Sequence, residues 1–541
     1  MAAMIPDGHP ERSTWDAVVV GTGMGGATLG YALAKAGWRV LFVERGLDLH
    51  TRNTDRISGR FVEDRAGFRH LSEVEQQRQL ALGGRSTDLV DDRSDGRVAT
   101  FTPYLGCGTG GSSALYGTVL ERLFPVDFAG GAANPADRGS SLPDAWPIRY
   151  EDLRPWYESA ERLYRVHGGA DPLRPGEERA LLPAPPLSAA GAHVVGTLSR
   201  QGVHPYRLHT ACERDGCRIC QGYLCGSGCK NEAAGVCLVP AVEHYDARVL
   251  TDCAALFLDA DRGRVRRLVC SWRGRRVTLR ANVFVLAAGA LLTPALLLHS
   301  KSPSWPNGLA NASGLVGRNL MRHSIDLYVL TKAPALRLDA PAKEVAFNDL
   351  YAEGTDKFGT VQSFGTAGPL GYLQNRPGFN LWQLLGPVAP YFWKTFANQP
   401  ILGAIMEDPP YRQNCVTPQG AIDARGRYRL ALRYRLGSAD LIRRQRFRKA
   451  LARVLAPFRP VRAWGTTDRP ALGHVCGTCR FGVDAHTSVL DEWNRAHGVS
   501  NLYVVDGSFF PTSGGVNPAL TIAANALRVA DHLQSVAPSR E

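Results

Sequence analysis

The tightest constraint on the fold comes within the first fifty residues. A short apolar run, Asp16-Ala17-Val18-Val19-Val20, leads into Gly21-Thr22-Gly23-Met24-Gly25-Gly26. A helical stretch from Ala27 to Lys35 follows, then Gly37 and a second run, Val40-Leu41-Phe42-Val43, which ends at Glu44. Strand, glycine loop, helix and strand in that order specify a βαβ unit of an α/β sheet. Gly21 permits the tight turn, Gly23 lets a pyrophosphate reach the backbone, and Gly26 allows close helix–strand packing. The helix start offers unpaired N–H groups and a partial positive charge to phosphates. Glu44 lies 18 residues beyond Gly26, where a carboxylate accepts hydrogen bonds from a ribose. The candidate dinucleotide contacts here are Gly21, Thr22, Gly23, Gly25, Gly26, Glu44 and Arg45. A second loop, Gly106-Cys107-Gly108-Thr109-Gly110-Gly111-Ser112-Ser113, is dense enough in glycine to admit a ligand against its backbone, and Gly108, Gly110, Gly111 and Ser112 are its candidates. Motif and spacing alone do not choose between FAD and NAD.

Composition places this unit in a large folded chain. The 541 residues are 44% apolar and 21% charged, which excludes collagen-like and wholly disordered classes. The length implies two to four domains. No apolar run approaches the roughly 20 residues of a membrane span; Val283 to Leu298 comes nearest and is broken by Gly289 and Pro294. Met1 to Trp15 has no apolar signal core, so a cytoplasmic location is the expectation. The net charge of +13 rests on 55 arginines and only eight lysines. The densest basic stretch, Arg443 to Arg453, interleaves Phe447 and Leu451 as an amphipathic helix does. No recognition motif accompanies it, so no nucleic-acid partner is expected.

Taken in order, the motifs resemble those of the glucose–methanol–choline (GMC) family of FAD-dependent oxidoreductases. After the Gly21–Glu44 unit and the Gly108–Ser113 loop come Trp146-Pro147-Ile148-Arg149-Tyr150-Glu151-Asp152-Leu153, then Val285-Leu286-Ala287-Ala288-Gly289-Ala290 with Thr293-Pro294. Val316-Gly317-Arg318-Asn319-Leu320-Met321, Glu407-Asp408-Pro409 and His474-Val475-Cys476-Gly477-Thr478 follow. Asn501 to Ser508 and Asn517-Pro518-Ala519-Leu520-Thr521 complete the series. Each block is modest; their joint order is specific. The resemblance implies an α/β protein in which a Rossmann-like FAD-binding domain (14–150, 240–325 and 465–541) is interleaved with an α+β substrate domain built on an antiparallel sheet (151–239 and 326–464). Leu327 to Gly403 matches no family block, and in this family that region builds the substrate side.

The C-terminal segment makes chemical sense by itself. Asn501 to Val505 reads as a strand with Asp506 at its carboxyl end, where open α/β sheets bind ligands. Asn517-Pro518 suits the start of a helix running to about Leu533, and that start places positive potential near a reduced flavin. Oxidising an alcohol by hydride transfer also requires removal of the hydroxyl proton, and imidazole suits that work. By resemblance, His474 is the catalytic histidine, and Asn517 occupies a second position where members carry His or Asn. His474 Nε2 is then expected to take the proton while Asn517 orients the substrate oxygen. The resemblance adds Ala288, Asp506, Gly507, Asn517, Pro518 and Thr521 to the FAD contacts. Tyr116 stands where members often carry Asn, and Ala114, Leu115 and Tyr116 offer no histidine for covalent attachment. Non-covalent FAD is the expectation.

Six cysteines crowd into 212–237: Cys212, Cys217, Cys220, Cys225, Cys229 and Cys237. An iron–sulfur cluster or zinc on the first five, disulfides, and reduced structural thiols are three open readings. Cys476 and Cys479 read as small buried side chains beside His474.

The leading function is therefore oxidation of an alcohol to a carbonyl on a small polyhydroxylated molecule, with oxygen or another electron acceptor. The Gly21–Gly37 run and the cysteine-rich insert are similar to the branch containing aminoglycoside 6′-oxidases, which points to antibiotic or other secondary-metabolite biosynthesis. A cationic aminosugar would call for carboxylates, with Asp349, Glu353 and Glu407 as candidates. Alternatives are a sugar or polyol dehydrogenase passing electrons through a cysteine-bound cluster to a partner, a sterol-type alcohol oxidase, an NAD-dependent dehydrogenase, and a non-redox lyase keeping FAD structurally.

Overall fold

Val18 and Val19 are fully buried, as are Leu41 and Phe42 on the neighbouring strand, so both faces of these strands must be covered. Parallel strands between helical layers meet that demand. The computed structural model, which describes residues 9–50, 56–65, 67–132, 139–213, 221–261, 263–336, 343–353, 356–366, 398–423, 426–465 and 472–536, has this arrangement. Strand Thr14–Val20 pairs in parallel with Val40–Val43 on one side and with Arg275–Leu286 on the other. Arg248–Leu250 extends the sheet beyond Val40–Val43. The 12-residue strand Arg275–Leu286 forks. Its far half pairs in parallel with Leu502–Val504, and its near half pairs antiparallel with Val265–Trp272, which in turn pairs with Cys253–Ala260.

Helix Met24–Lys35 packs on helix Ala519–Val536, which also meets helix Tyr150–Leu163. The last of these buries Leu153, Tyr157 and Ala160, and Tyr157 OH lies 2.8 Å from Thr521 Oγ1. Residues 150–163 are thus bound to the helical layer over the first sheet, although the sequence places a division at 150/151. Gly25 shows why the first helix carries no side chain at this point. A Cβ there would come within 2.0 Å of the Val505 carbonyl oxygen, so the helix lies against the end of the last parallel strand.

A second sheet is antiparallel throughout. Its order is Pro460–Gly465, Ser324–Leu330, Pro400–Met406, Val361–Thr366, Val345–Phe347 and Tyr206–Arg207. Helix Ser438–Leu455 buries Phe447, Leu451 and Leu455 in the same cluster as Val345, Phe347 and Leu402. Several basic residues of that helix are engaged within the fold: Arg444 and Arg448 both bind Asp326, and Arg446 binds Asp356. A smaller sheet joins Leu89–Asp92 and Ala99–Phe101 to Cys415–Pro418 and Arg429–Arg433, stitching early chain to late chain. Among the described residues, no helix is long and apolar enough to cross a membrane.

Candidate functional site

The carboxyl ends of the parallel strands gather the two glycine loops. Gly21 turns at φ +99°, and Gly23 precedes a helix start with no side-chain cap. The second loop lies opposite: a Cβ at Gly111 would stand 3.0 Å from Gly23 Cα, whereas one at Gly23 would meet nothing nearer than 3.9 Å. Glu44 is 6% exposed and ties the loops together. Its Oε2 accepts from the Thr22 hydroxyl (2.7 Å) and amide (3.2 Å), and its Oε1 accepts from Gly46 N (2.8 Å) and Gly108 N (3.2 Å). An uncapped helix start, a glycine-lined approach and a buried carboxylate suit the pyrophosphate and ribose of a dinucleotide.

Other expected contacts are placed as follows. Arg45 forms a two-pronged ion pair with Asp88, both bonds 2.7 Å, and also lies against Cys107 of the second glycine loop. Ser112 is exposed, its Oγ accepting from Gly106 N at 3.1 Å. Thr521 is fully buried against Tyr157. Asp506 Oδ2 accepts from Gly289 N at 2.9 Å and from Thr293 Oγ1 at 2.5 Å, holding the turn after Ala288. Gly507 O accepts from Gly477 N at 3.0 Å, which links the Asp506 turn to the His474 segment. Tyr116 OH donates to the Asn231 carbonyl.

His474 and Asn517 do come together. His474 Nε2 lies 3.3 Å from Asn517 Nδ2, and the buried Oδ1 of Asn517 has no protein partner. Backbone geometry holds both. Met321 and Cys476 exchange two 3.0 Å hydrogen bonds, and Thr478 Oγ1 donates to Ala290 O at 2.7 Å. On the Asn517 side, Trp146 packs on Phe481, Phe509 and Phe510 and donates to Thr512 Oγ1 at 2.8 Å. Tyr351 OH donates to Asp127 at 2.6 Å and accepts from Gly515 N at 2.9 Å, fixing the loop just ahead of Asn517. Pro518 is buried behind it.

Two groups near His474 had no motif to announce them. His323 Nδ1 stands 2.9 Å from His474 Nδ1, while His323 Nε2 faces the carbonyls of Gly514 (2.8 Å) and Ser513 (3.1 Å). It follows the Val316–Met321 block by two residues, just before a fully buried strand, and that position was its only signal. Lys343 is the other. It is 7% exposed, its ammonium beside Gly117 and 5.4 Å from the Phe364 ring centroid. Burial and the nearby Lys230 push the Lys343 amine down to about 7. Burial, His323 and Lys343 together hold His474 well below the usual histidine range.

The carboxylates expected for a cationic substrate are committed elsewhere. Glu407 pairs with Lys357 at 2.9 Å, and Asp349 pairs with His204 at 2.7 Å; the Glu353 side chain lies outside the described residues. Of the cysteine-rich insert, Cys217 and Cys220 lie outside the described residues. The Cys212 backbone forms a β-bridge with that of Lys230, and the Cys225 and Cys229 sulfurs are 3.6 Å apart, well beyond the roughly 2.05 Å of a disulfide bond. Among the described residues, no three His, Cys, Asp or Glu side chains form a metal-binding group. Cys476 and Cys479 are fully buried.

Comparison with known proteins accords with this geometry. Models of the N- and C-terminal parts of GMC oxidoreductase match residues 189–325 and 410–526. The chain is 31% identical to 6'''-hydroxyparomomycin C oxidase of Streptomyces lividus, covering 96% of this chain and 92% of that protein. It is 29% identical to paromamine 6'-oxidase of Streptomyces fradiae, covering 97% and 92%. Among solved structures, pyridoxine 4-oxidase from Mesorbium loti superposes with a TM-score of 0.63 at 20% identity, over 97% of this chain and 100% of that one. A fork of parallel and antiparallel strands, two facing glycine loops, and matches running nearly end to end lead to one assignment: the chain belongs to the GMC oxidoreductase family, whose members oxidise alcohol groups.

Proposed function

We propose that this chain uses non-covalently bound FAD to oxidise a hydroxyl of a sugar or aminosugar to a carbonyl, in antibiotic or related secondary metabolism, with oxygen or another acceptor taking the electrons. The observation that carries the reading is the meeting of His474 Nε2 and Asn517 Nδ2 at 3.3 Å, beside a carboxamide oxygen left without a partner. Gly21, Gly23, Glu44, Gly108, Gly110 and Gly111 would hold the dinucleotide, and Ala288, Asp506 and Pro518 would shape the flavin side. The ranges 14–150, 240–325 and 465–541 would form that cofactor unit. Bound FAD supplies the hydride acceptor.

The remaining work belongs to the protein. His474 Nε2 accepts the hydroxyl proton as the substrate carbon loses hydride, and Asn517 Nδ2 donates to the same oxygen as its charge builds. A histidine held below its usual range is neutral at neutral pH, and only the neutral ring has a lone pair to accept with. Beside the His323 ring, the described charged group acting on His474 is the Lys343 ammonium rather than a carboxylate. That environment disfavours a cationic group next to the reacting carbon, so the oxidised hydroxyl should sit away from any amines. A primary alcohol at one end of an aminosugar meets that requirement, as does a neutral sugar. The relatives named for 6'- and 6'''-positions of aminoglycosides support the sugar class.

The experiment is anaerobic mixing of the FAD-loaded protein with a panel of neutral sugars, aminosugars and sterols. Bleaching of the flavin bands by primary alcohols of the sugars is expected. Bleaching by sterols alone, or by none of the panel, would overturn the substrate class.

A further inference from the structure

His323 and His474 face each other by register. Met321 pairs antiparallel with Cys476, so two residues onward on one strand lies opposite two residues back on the other. The rings meet edge to face at 86°, centroids 5.0 Å apart, with their Nδ1 atoms 2.9 Å apart. Two nitrogens at that distance need one donor and one acceptor.

The far side of His323 decides which is which. Its Nε2 faces two backbone carbonyls, Gly514 O at 2.8 Å and Ser513 O at 3.1 Å, and a carbonyl can only accept. Nε2 of His323 therefore carries a hydrogen. Burial keeps this ring neutral, so Nδ1 is bare and accepts. Its partner, His474 Nδ1, must then donate, which leaves Nε2 of a neutral His474 without a hydrogen. Asn517 gives the same answer from the other end: its Nδ2 has no lone pair to offer, so at 3.3 Å it faces an acceptor on His474.

We propose that His323 is a positioning residue that fixes the hydrogen of His474 on Nδ1 and so leaves Nε2 bare toward the substrate. The proposal rests on His474 being the base of the functional reading. It also adds a source of rate. When the substrate proton reaches Nε2, His474 becomes an imidazolium, and its Nδ1–H bond to His323 becomes charge-assisted and stronger. An orienting partner that imposes the wrong tautomer on a catalytic histidine can lower turnover by about 10⁴-fold in the serine-protease triad.

The test uses full-length, FAD-loaded protein with ¹⁵N-labelled imidazoles, and the His474 signals are identified by their loss in His474→Ala. Expected in the wild type are a protonated Nδ1 on His474 and a protonated Nε2 on His323. In His323→Leu, His474 should lose its Nδ1–H preference, and flavin reduction should slow on the order of 10²-fold. His323→Asn, whose side-chain oxygen can accept at the same position, should restore both the tautomer and the rate to within a few fold. A wild-type His474 protonated on Nε2, or an unchanged tautomer in flavin-loaded His323→Leu, overturns the proposal. If His323→Leu does not hold flavin, the wild-type spectrum and the His323→Asn rate decide. Failure of the base assignment looks different: flavin reduction would survive His474→Ala while the tautomers remained as stated.

Discussion

His474 Nε2 and Asn517 Nδ2 lie 3.3 Å apart although 43 positions separate them in the chain. Their approach depends on the bridge at Cys476 and on the loop fixed by Tyr351 and Trp146, not on any local turn. Asn517→Ala removes one donor to the developing alkoxide and should lower the rate of flavin reduction by about 10²–10³-fold, the range for losing a single oxyanion donor. Asn517→His, which restores a donor, should recover most of that loss. Anaerobic stopped-flow at the flavin absorption band measures both.

The acid side of the pH profile should be unusually extended. His474 is held well below the ordinary histidine range by burial, then by His323, then by Lys343. The rate of flavin reduction should therefore stay flat as pH falls through 6.5 and drop only at lower pH, where the imidazole protonates. Removing a cation from its surroundings makes protonation easier. Lys343→Met should move the acid limb upward, and because the amine titrates near 7, the difference should grow as pH falls below that value. A profile unmoved by Lys343→Met would place that ammonium outside the electrostatic reach of the base.

Stability has its own buried centre. Glu161 and Arg122 are both fully buried and joined by bonds of 2.8 and 2.6 Å, with Arg179 and the Ala180 amide adding to the same carboxylate. Burial alone would raise the Glu161 pKa, but these partners lower it to about 2. A depressed carboxylate stabilises the fold above its unfolded value of roughly 4.3. That contribution is lost as pH falls toward about 2. Glu161→Gln removes the closer carboxylate from buried Arg122, leaving it only the 3.4 Å contact with Glu177, and should cost about 3 kcal/mol. Thermal melts at neutral pH and at pH 3 check both statements: the variant should melt lower at neutral pH, and the gap should narrow in acid.

Attachment of the flavin has a simple readout. The loop residues Ala114, Leu115 and Tyr116 offer no imidazole, and Tyr116 OH is taken by the Asn231 carbonyl. Acid precipitation should leave the yellow colour in the supernatant, and colour in the pellet would contradict non-covalent binding.

Much of this architecture is written locally. The glycine loop, the valine run before it and Glu44 after it are contiguous, and they form the strand, helix and strand expected of them. His474 and Asn517 were marked by their neighbours, Gly477-Thr478 and Pro518. His323 escaped because its role comes from a bridge between Met321 and Cys476, a pairing that no local pattern encodes. Lys343 escaped for a similar reason: burial gives the residue its chemistry, and burial is decided by the surrounding sheet. Gly25 and Arg45 carried the opposite lesson. Both sit inside a nucleotide motif, yet Gly25 meets the Val505 carbonyl and Arg45 binds Asp88, contacts that only the assembled sheets reveal.

The measurement that bears most directly on the account is the rate of anaerobic flavin reduction by a sugar primary alcohol in wild-type protein and in His474→Ala, each loaded with one FAD per chain. The account expects FAD binding to persist in the variant and the rate to fall by 10²–10⁴-fold, the range for loss of a general base. A variant that holds FAD and is reduced as fast as the wild type would contradict it.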